Sequence, residues 1–416
     1  MHDVFVFALY FVLLLFLVTW LIKRSQLGIK TGMAISIFSF KILLGCSYGY
    51  ILLRFYGGDD PWKFYQGSLV EYQILIHHPV DFFRDFLPGP YFARAQNISQ
   101  GWSQYIESLE YFLMVKFLAL CNLLSRGNYY IDILFFDFLV FWGPFLLFKL
   151  LWPVFPGKKT ALLIGLFFIP SITFWLSGIR AEGLLLLFIS LILYYTADWL
   201  TSRRFSSIIG VFLGFIGFLI FRGQFLLAFL PAFLALLLSY RRPQKAVNYF
   251  SIIYILCVCI FFSSLLVSNE KNLAVPIIRR QKEFLDLHGN TRYPLDTLQA
   301  SVSSFIKVFP EAFANGLVRP SLWEARGPLQ IMTAIEVIFF WVLSGMCLLI
   351  PDKEWRKILR QPLVLAFLFY GISQILLIGY VVPFPGAIVR YKAIPEFLLF
   401  LVMTILINWM KIFKLE

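Results

Sequence analysis

The chain has 416 residues, of which 60% are hydrophobic, and it carries a formal net charge of +13. Soluble domains average about 45–50% apolar residues, so this composition excludes an ordinary soluble globular protein. The basic balance does not indicate nucleic-acid binding, because the sequence offers no soluble domain that would carry a basic patch. Lys and Arg cluster instead in short loops between apolar stretches, a pattern typical of the cytoplasmic side of membrane proteins.

Apolar stretches of about 20 residues recur along the whole chain, and each is long enough to cross a bilayer core of about 30 Å. They predict an all-α polytopic integral membrane protein with about eleven spans. Segment 109–125 is also apolar, but it is short and contains Lys116, and we expect it to be re-entrant or interfacial. The predicted spans are 3–22, 33–53, 129–151, 160–177, 182–200, 207–221, 224–240, 247–268, 331–350, 361–380 and 393–412.

The basic short loops all lie on one side if the N-terminus is outside and the C-terminus is inside. The chain, 1–416, is then a single transmembrane domain with two long outer loops, 54–128 and 269–330. The first loop contains amphipathic stretches such as 62–77, which predict helices lying along the membrane surface. Loops of this length are longer than connectors need to be and are commonly functional.

An acidic pair, Asp59 and Asp60, follows the second predicted span within the stretch GGDDP. Two adjacent carboxylates repel each other unless a cation joins them, and they are suited to act as a general base or to ligate Mg²⁺ or Mn²⁺. The same stretch is also good turn chemistry. Because a residue before proline favours an extended backbone, we expect Asp60 to be extended at Pro61 and the two carboxylates to point in opposite directions. One aspartate would then face a substrate, and the other would bind a cation, cap a helix or pair with an arginine such as Arg54.

Further charged residues lie at the outer ends of predicted spans, where positive charge is disfavoured. Cations that converge at this level suit a phosphate or pyrophosphate group, which arginine binds with paired donors. Each group also has a simpler explanation as a local ion pair, a snorkelling side chain or an interfacial anchor. The residues are Arg180 and Glu182, Arg222, and then Arg390, Tyr391 and Lys392.

Three short motifs resemble those of the GT-C class of membrane glycosyltransferases, which use polyprenyl-phosphate-linked sugars. The stretch GNYYIDILFFDFL, 127–139, is also similar to bacterial relatives of that class. The motifs are Gly58-Asp59-Asp60 followed by Tyr65; the hairpin with Pro170, Ser171, Trp175, Ser177, Gly178 and Glu182; and Arg390-Tyr391 followed by Pro395.

The resemblance implies a bundle of about 11–13 transmembrane helices with an active site at the outer leaflet of a bacterial inner (cytoplasmic) membrane. It implies a polyprenyl-phosphate-linked sugar as donor, a lipid-linked or surface glycan as acceptor, and a loop carboxylate as catalytic base. The arginines would hold the lipid phosphate, and the pair Asp59 and Asp60 could carry a divalent cation. The chain departs from the class in placing the acidic motif after the second span and in lacking a soluble outer C-terminal domain, which leaves acceptor recognition to the outer loops.

Two other functions are open at the level of sequence. A polymerase that joins lipid-linked oligosaccharides, of the O-antigen type, would also use outer-side arginines. A flippase or transporter would show internal repeats and ionisable residues in mid-span. The sequence shows no clear repeat, and charges in mid-span are few, with Asp137 and Glu336 the best examples. Charges at helix ends on one side favour chemistry at a surface over passage through a pore.

Overall fold

A computed structural model describes residues 2–25, 27–267, 272–287 and 291–413, without the side chains of 170–172 and 413. Most of the described residues are helical. Nine helices in these ranges are long and apolar enough to cross a membrane. The prediction of an all-α polytopic membrane protein is confirmed at this level.

The helices follow one another with mostly short connections. The first ten are α1 (His2–Arg24), α2 (Thr31–Tyr56), α3 (Asp59–His77), α4 (Pro79–Phe82), α5 (Gly89–Arg94), α6 (Ile98–Ser125), α7 (Tyr129–Leu151), α8 (Lys159–Phe167), α9 (Pro170–Trp175) and α10 (Ala181–Ser202). The others are α11 (Phe205–Tyr240), α12 (Ala246–Ser264), α13 (Ala274–Asp286), α14 (Val302–Phe313), α15 (Pro328–Leu349), α16 (Trp355–Leu359), α17 (Pro362–Val381), α18 (Pro385–Leu406) and α19 (Trp409–Phe413). Three 3₁₀ helices, Arg84–Phe86, Pro156–Lys158 and Pro243–Lys245, and a π-helix, Ala314–Val318, complete the set.

The candidate spans differ from the predicted ones in three places. The predicted spans 207–221 and 224–240 form α11, which is broken at Arg222 with φ −154° and ψ 58°, so the turn expected there is confirmed. The prediction of one span over 160–177 is wrong, because α8 and α9 are short and separate. Pro170 lacks an amide hydrogen and disfavours a helical residue before it. The last predicted span lies in α18, which carries three charges and is not among the candidates.

Helix α6 corrects the expectation that 109–125 is a short segment. It runs for 28 residues and is long and apolar enough to cross a membrane. Its Lys116 is neutralised within the protein, because Nζ lies 2.7 Å from Oε2 of Glu71 and 2.9 Å from Oδ2 of Asp85. The predicted orientation of the chain required no net crossing between 54 and 128, and the orientation stays a prediction.

The chain divides into two compact units, and each has its own packed interior. The first unit comprises residues 1–159 and 166–223, and the second comprises 160–165 and 224–416. In the first unit, α6, α7 and α10 enclose a core whose buried members include Leu118, Phe136, Val140 and Leu184. In the second unit, a smaller core lies under α13 and α14; its buried members are Ala274, Leu298, Phe305 and Val308.

Candidate functional site

The acidic pair lies at the two-residue turn between α2 and α3. Gly57, Gly58 and Asp59 have φ values of 66°, 95° and 50°, a left-handed run that glycine adopts freely and that aspartate tolerates better than most residues. Helix α3 begins at Asp59, so both carboxylates lie in its first turn, where the helix dipole favours negative charge.

The expectation of an extended Asp60 is therefore wrong. Pro61 falls within the first turn of α3, where its missing N–H removes no helical hydrogen bond. The next residue, Trp62, fixes this turn to the rest of the unit: its Nε1 donates to the Gly49 carbonyl at 3.0 Å, and its ring stacks on Tyr129 with centroids 4.0 Å apart. The motif residue Tyr65 is engaged in the same way, because its hydroxyl donates to the Gly127 carbonyl at 2.7 Å.

The predicted hairpin motif delivers Arg180 to the same place. Arg180 directly precedes α10 with an extended backbone, and Gly178 two residues earlier has φ 80°. A Cβ on Gly178 would lie 2.7 Å from Cδ1 of Tyr48, so glycine is required both by the backbone and by the close approach of α2. The side chains of Pro170 and Ser171 from this motif lie outside the described residues.

Arg180 is the centre of the site. Its Nη2 lies 2.7 Å from Oδ2 of Asp60, its Nη1 lies 3.5 Å from Oδ2 of Asp59, and its Nε lies 3.6 Å from Oε2 of Glu182. Its Nη1 also donates to the hydroxyl of Tyr48 at 2.6 Å. Burial by itself lowers the pKa of Arg180, but Tyr48, Glu182 and Asp60 raise it by more, so the guanidinium stays charged.

The network extends from Glu182 to two further residues. Oε1 of Glu182 lies 3.5 Å from Nη2 of Arg222, and Nη1 of Arg222 donates to Oε1 of Glu110 on α6. We call this set the carboxylate–arginine cluster; it contains Asp59, Asp60, Glu110, Arg180, Glu182 and Arg222. Four carboxylates face two guanidinium groups, so the cluster is not the purely cationic surface that the sequence suggested.

Glu110, Tyr48 and Lys41 are residues near the site that sequence reasoning missed. Lys41 and Asp137 form a buried ion pair beside the hairpin turn, with Nζ 3.4 Å from Oδ1. The signal for Lys41 and Glu110 was available, because each is an isolated charge within an apolar stretch. Tyr48 gives no such signal, since tyrosine is common in membrane helices.

Accessibility separates the roles within the cluster. The side chains of Asp59 and Asp60 are 34% and 44% exposed, whereas that of Arg180 is 6% exposed. A substrate can therefore reach the carboxylates, while the guanidinium donates to protein partners. The geometry suits Arg180 to orienting the acidic pair rather than to binding a phosphate.

The predicted divalent cation has limited support in the geometry. In the described ranges, no group of three or more His, Cys, Asp or Glu side chains is placed to hold a metal ion. Any such ion at Asp59 and Asp60 would need ligands from a substrate or water. The metal stays a prediction.

The residues Arg390, Tyr391 and Lys392 lie in the second unit. They do not open their helix as predicted, because α18 begins at Pro385. Lys392 is 1% exposed; its Nζ lies 3.5 Å from Oε2 of Glu396, one turn further along the same helix.

The two neighbours of Lys392 in this motif make mainly local contacts. Nε of Arg390 donates to the Gly386 carbonyl at 3.0 Å, and the ring of Tyr391 packs against Phe225 and Phe284. The structure brings Arg180, Glu182 and Arg222 together within the first unit. The expectation that Arg390 and Lys392 join them at one cavity concerns both units and stays a prediction.

Comparison of the chain with models of protein families, with curated proteins and with solved structures found no match in any of the three. The functional argument therefore rests on the geometry of the cluster and on the motifs of the sequence.

Proposed function

We propose that the chain is a GT-C-like membrane glycosyltransferase that moves a sugar from a polyprenyl-phosphate donor to a lipid-linked or surface glycan acceptor, on the outer side of a bacterial cytoplasmic membrane. One observation carries the proposal. Two of the motifs that resemble this class, 120 residues apart in the chain, meet where Nη2 of Arg180 donates to Oδ2 of Asp60 at 2.7 Å.

The cluster supports a division of work between the two aspartates. Asp60 makes the short contact with Arg180 and so is the held, supporting carboxylate. Asp59 lies 3.5 Å from the same guanidinium and is the base. It accepts the proton of an acceptor hydroxyl as the hydroxyl oxygen bonds to the anomeric carbon of the donor. The bond from that carbon to the phosphate oxygen breaks, and the polyprenyl phosphate leaves.

An apolar groove in the first unit supports a lipid donor. It has a volume of about 420 Å³ and is lined by Cys46, Ser47, Tyr50 and Ile51 of α2 and by Tyr130 of α7. The ring of Tyr130 lies 6.5 Å from that of Trp62, which anchors the turn carrying the acidic pair. We assign the first isoprene units of the donor to this groove. Arg390 is the arginine that we assign to the donor phosphate.

The test uses the full chain reconstituted into liposomes with a panel of radiolabelled polyprenyl-phosphate sugars (hexose, pentose and aminosugar) and lipid-linked glycan acceptors. Transfer of the label to an acceptor, with loss of transfer in Asp59→Asn/Asp60→Asn, is the expected result. Asp81→Asn is the matched control, because Asp81 forms an exposed ion pair with Arg84 on α4 and the following turn.

Two results would contradict the proposal. One is movement of labelled lipid across the bilayer without any transfer, which would indicate a flippase. The other is transfer of whole oligosaccharide units in preference to single sugars, which would indicate a polymerase.

A further inference from the structure

We infer that Lys41 and Asp137 are positioning residues, a buried ion pair that holds the hairpin turn before α10 and, through Arg180, sets the acidic pair. Lys41 lies in mid-helix on α2 and Asp137 lies on α7. Nζ of Lys41 donates to the Leu176 carbonyl at 2.9 Å and to Oγ of Ser177 at 3.1 Å.

The partner carboxylate holds the next residue of the same turn. Oδ1 of Asp137 accepts from the backbone N–H of Gly178 at 3.2 Å and lies 3.4 Å from Nζ of Lys41. Three successive residues of the turn are thus tied to one ion pair. The amide of Arg180 then donates to the Gly178 carbonyl at 2.9 Å, which connects the held turn to the centre of the cluster.

A buried ion pair is an expensive way to fix a turn, so its presence asks for a reason. Removing two charges from water costs several kcal/mol per ion, and apolar residues of similar volume would commonly be as stable. Charges inside membrane-spanning helices are rare and are commonly functional. The pair supplies what apolar residues cannot, namely directed bonds to a carbonyl, a hydroxyl and an amide at once.

The surrounding sequence is fitted to this arrangement. A Cβ on Gly45, one turn after Lys41 on α2, would collide with Oδ2 of Asp137 and would lie 3.2 Å from the amide nitrogen of Gly178. Glycine at this position therefore lets α2, α7 and the turn meet at one point. The same turn approaches Tyr48, which accepts from Arg180.

The first test is hydrogen exchange of the full chain in detergent, read by mass spectrometry on the peptide that covers 176–182. In Lys41→Met/Asp137→Leu, which removes both charges at similar volume, we expect exchange in this peptide to rise by about tenfold or more while the thermal midpoint stays close to wild type. The control is Lys116→Met/Glu71→Leu, a buried ion pair of the same unit that does not touch the turn. Its exchange at 176–182 should match wild type.

Unchanged exchange at 176–182 in the folded test variant would overturn the inference, whatever the activity of the protein. If that variant does not fold, Asp137→Asn serves instead, because it keeps an acceptor for the Gly178 amide and loses only the charge. A smaller rise in the same peptide is then expected, and no rise would again overturn the inference.

The second test rests on the proposed function and is a double-mutant cycle on transferase rate. Lys41→Met/Asp137→Leu should lower the rate by about 10²-fold, since small displacements of catalytic groups have effects of this size. On a background of Arg180→Lys, the same replacement should cause little further loss, because the pair acts through Arg180. Additive losses would show a general structural effect and contradict the inference. If wild type transfers no sugar, the proposed function fails, while the exchange result still decides the positioning role.

Discussion

Two charged regions of the molecule show what distinguishes a site from a neutralised helix. The carboxylate–arginine cluster of the first unit joins residues up to 120 positions apart, from several helices, and part of it is open to solvent. The pair Lys392 and Glu396 of the second unit lies four residues apart on one helix and is almost fully buried. Partners that are distant in sequence require a fold to assemble them. The pair within one helix needs only that helix, and it presents little surface to a substrate.

The largest effect that would sharpen this contrast concerns the base. Asp59→Asn should lower the transferase rate by about 10²–10⁴-fold, the usual contribution of a general base, with protein level and lipid binding retained. Asp60→Asn should act more mildly, because its carboxylate is held by Arg180. Initial rates in liposomes measure both variants. Equal losses in the two would assign Asp59 and Asp60 to a shared metal or proton, and full activity in the double variant would leave the motif as a turn only.

A second experiment compares the two regions by stability. Lys392→Met/Glu396→Leu should leave stability close to wild type, because replacing both members of an isolated buried pair is often neutral. Arg180→Met/Glu182→Leu should lower it by about 3 kcal/mol, because Tyr48 and the remaining cluster lose their partners. Equilibrium unfolding in a denaturing detergent series measures both. Equal behaviour of the two double variants would end the distinction between network and isolated pair.

A smaller effect is expected at Gly178, whose backbone places Arg180. Gly178→Ala should destabilise the protein by about 1–2 kcal/mol from backbone strain alone, with a further effect from contact with Tyr48. Gly32→Ala is the matched control on α2, because a Cβ there would meet no atom within 4 Å. Thermal unfolding should lower the midpoint of the first variant and leave the second unchanged or slightly raised. A tolerated Gly178→Ala would show that the turn can relax.

The smallest predicted effect tests the second unit for a role beyond its buried pair. Arg390→Lys should weaken binding of polyprenyl phosphate by about tenfold, because lysine lacks the paired donors of a guanidinium. Lys357→Arg, in an exposed ion pair with Glu354, is the control. Native mass spectrometry with a polyprenyl phosphate measures the affinities. Equal binding by wild type and Arg390→Lys would remove Arg390 from the donor site.

Much of the fold follows from the sequence, because hydropathy over about 20 residues reports helices directly. The break at Arg222 was also predictable, since the stretch FRGQ interrupts two apolar runs. Helix α6 was not, because the apolar pattern is interrupted by Glu110 and Lys116. The residues that neutralise Lys116 lie up to 45 positions away, and local hydropathy contains no information about them.

The candidate site was predictable in its parts but not in its pairing. Motif and position singled out Asp59, Asp60, Arg180 and Glu182, and the structure places these together. The local rule for a residue before proline failed, because tertiary contacts of the first turn of α3 outweigh a backbone preference. The expected partner of the acidic pair, Arg54, is exposed, and Arg180 takes that place.

The ion pair between Glu110 and Arg222 also has a consequence for the order of biosynthesis. Glu71 and Asp85 precede Lys116, so the nascent chain already contains both partners of this lysine when it leaves the ribosome. Arg222 follows Glu110 by 112 residues. At roughly 5–20 residues per second, synthesis needs about 6–22 s to supply that arginine. During this interval α6 cannot have its final electrostatic environment, so its stable insertion must await the arrival of α11.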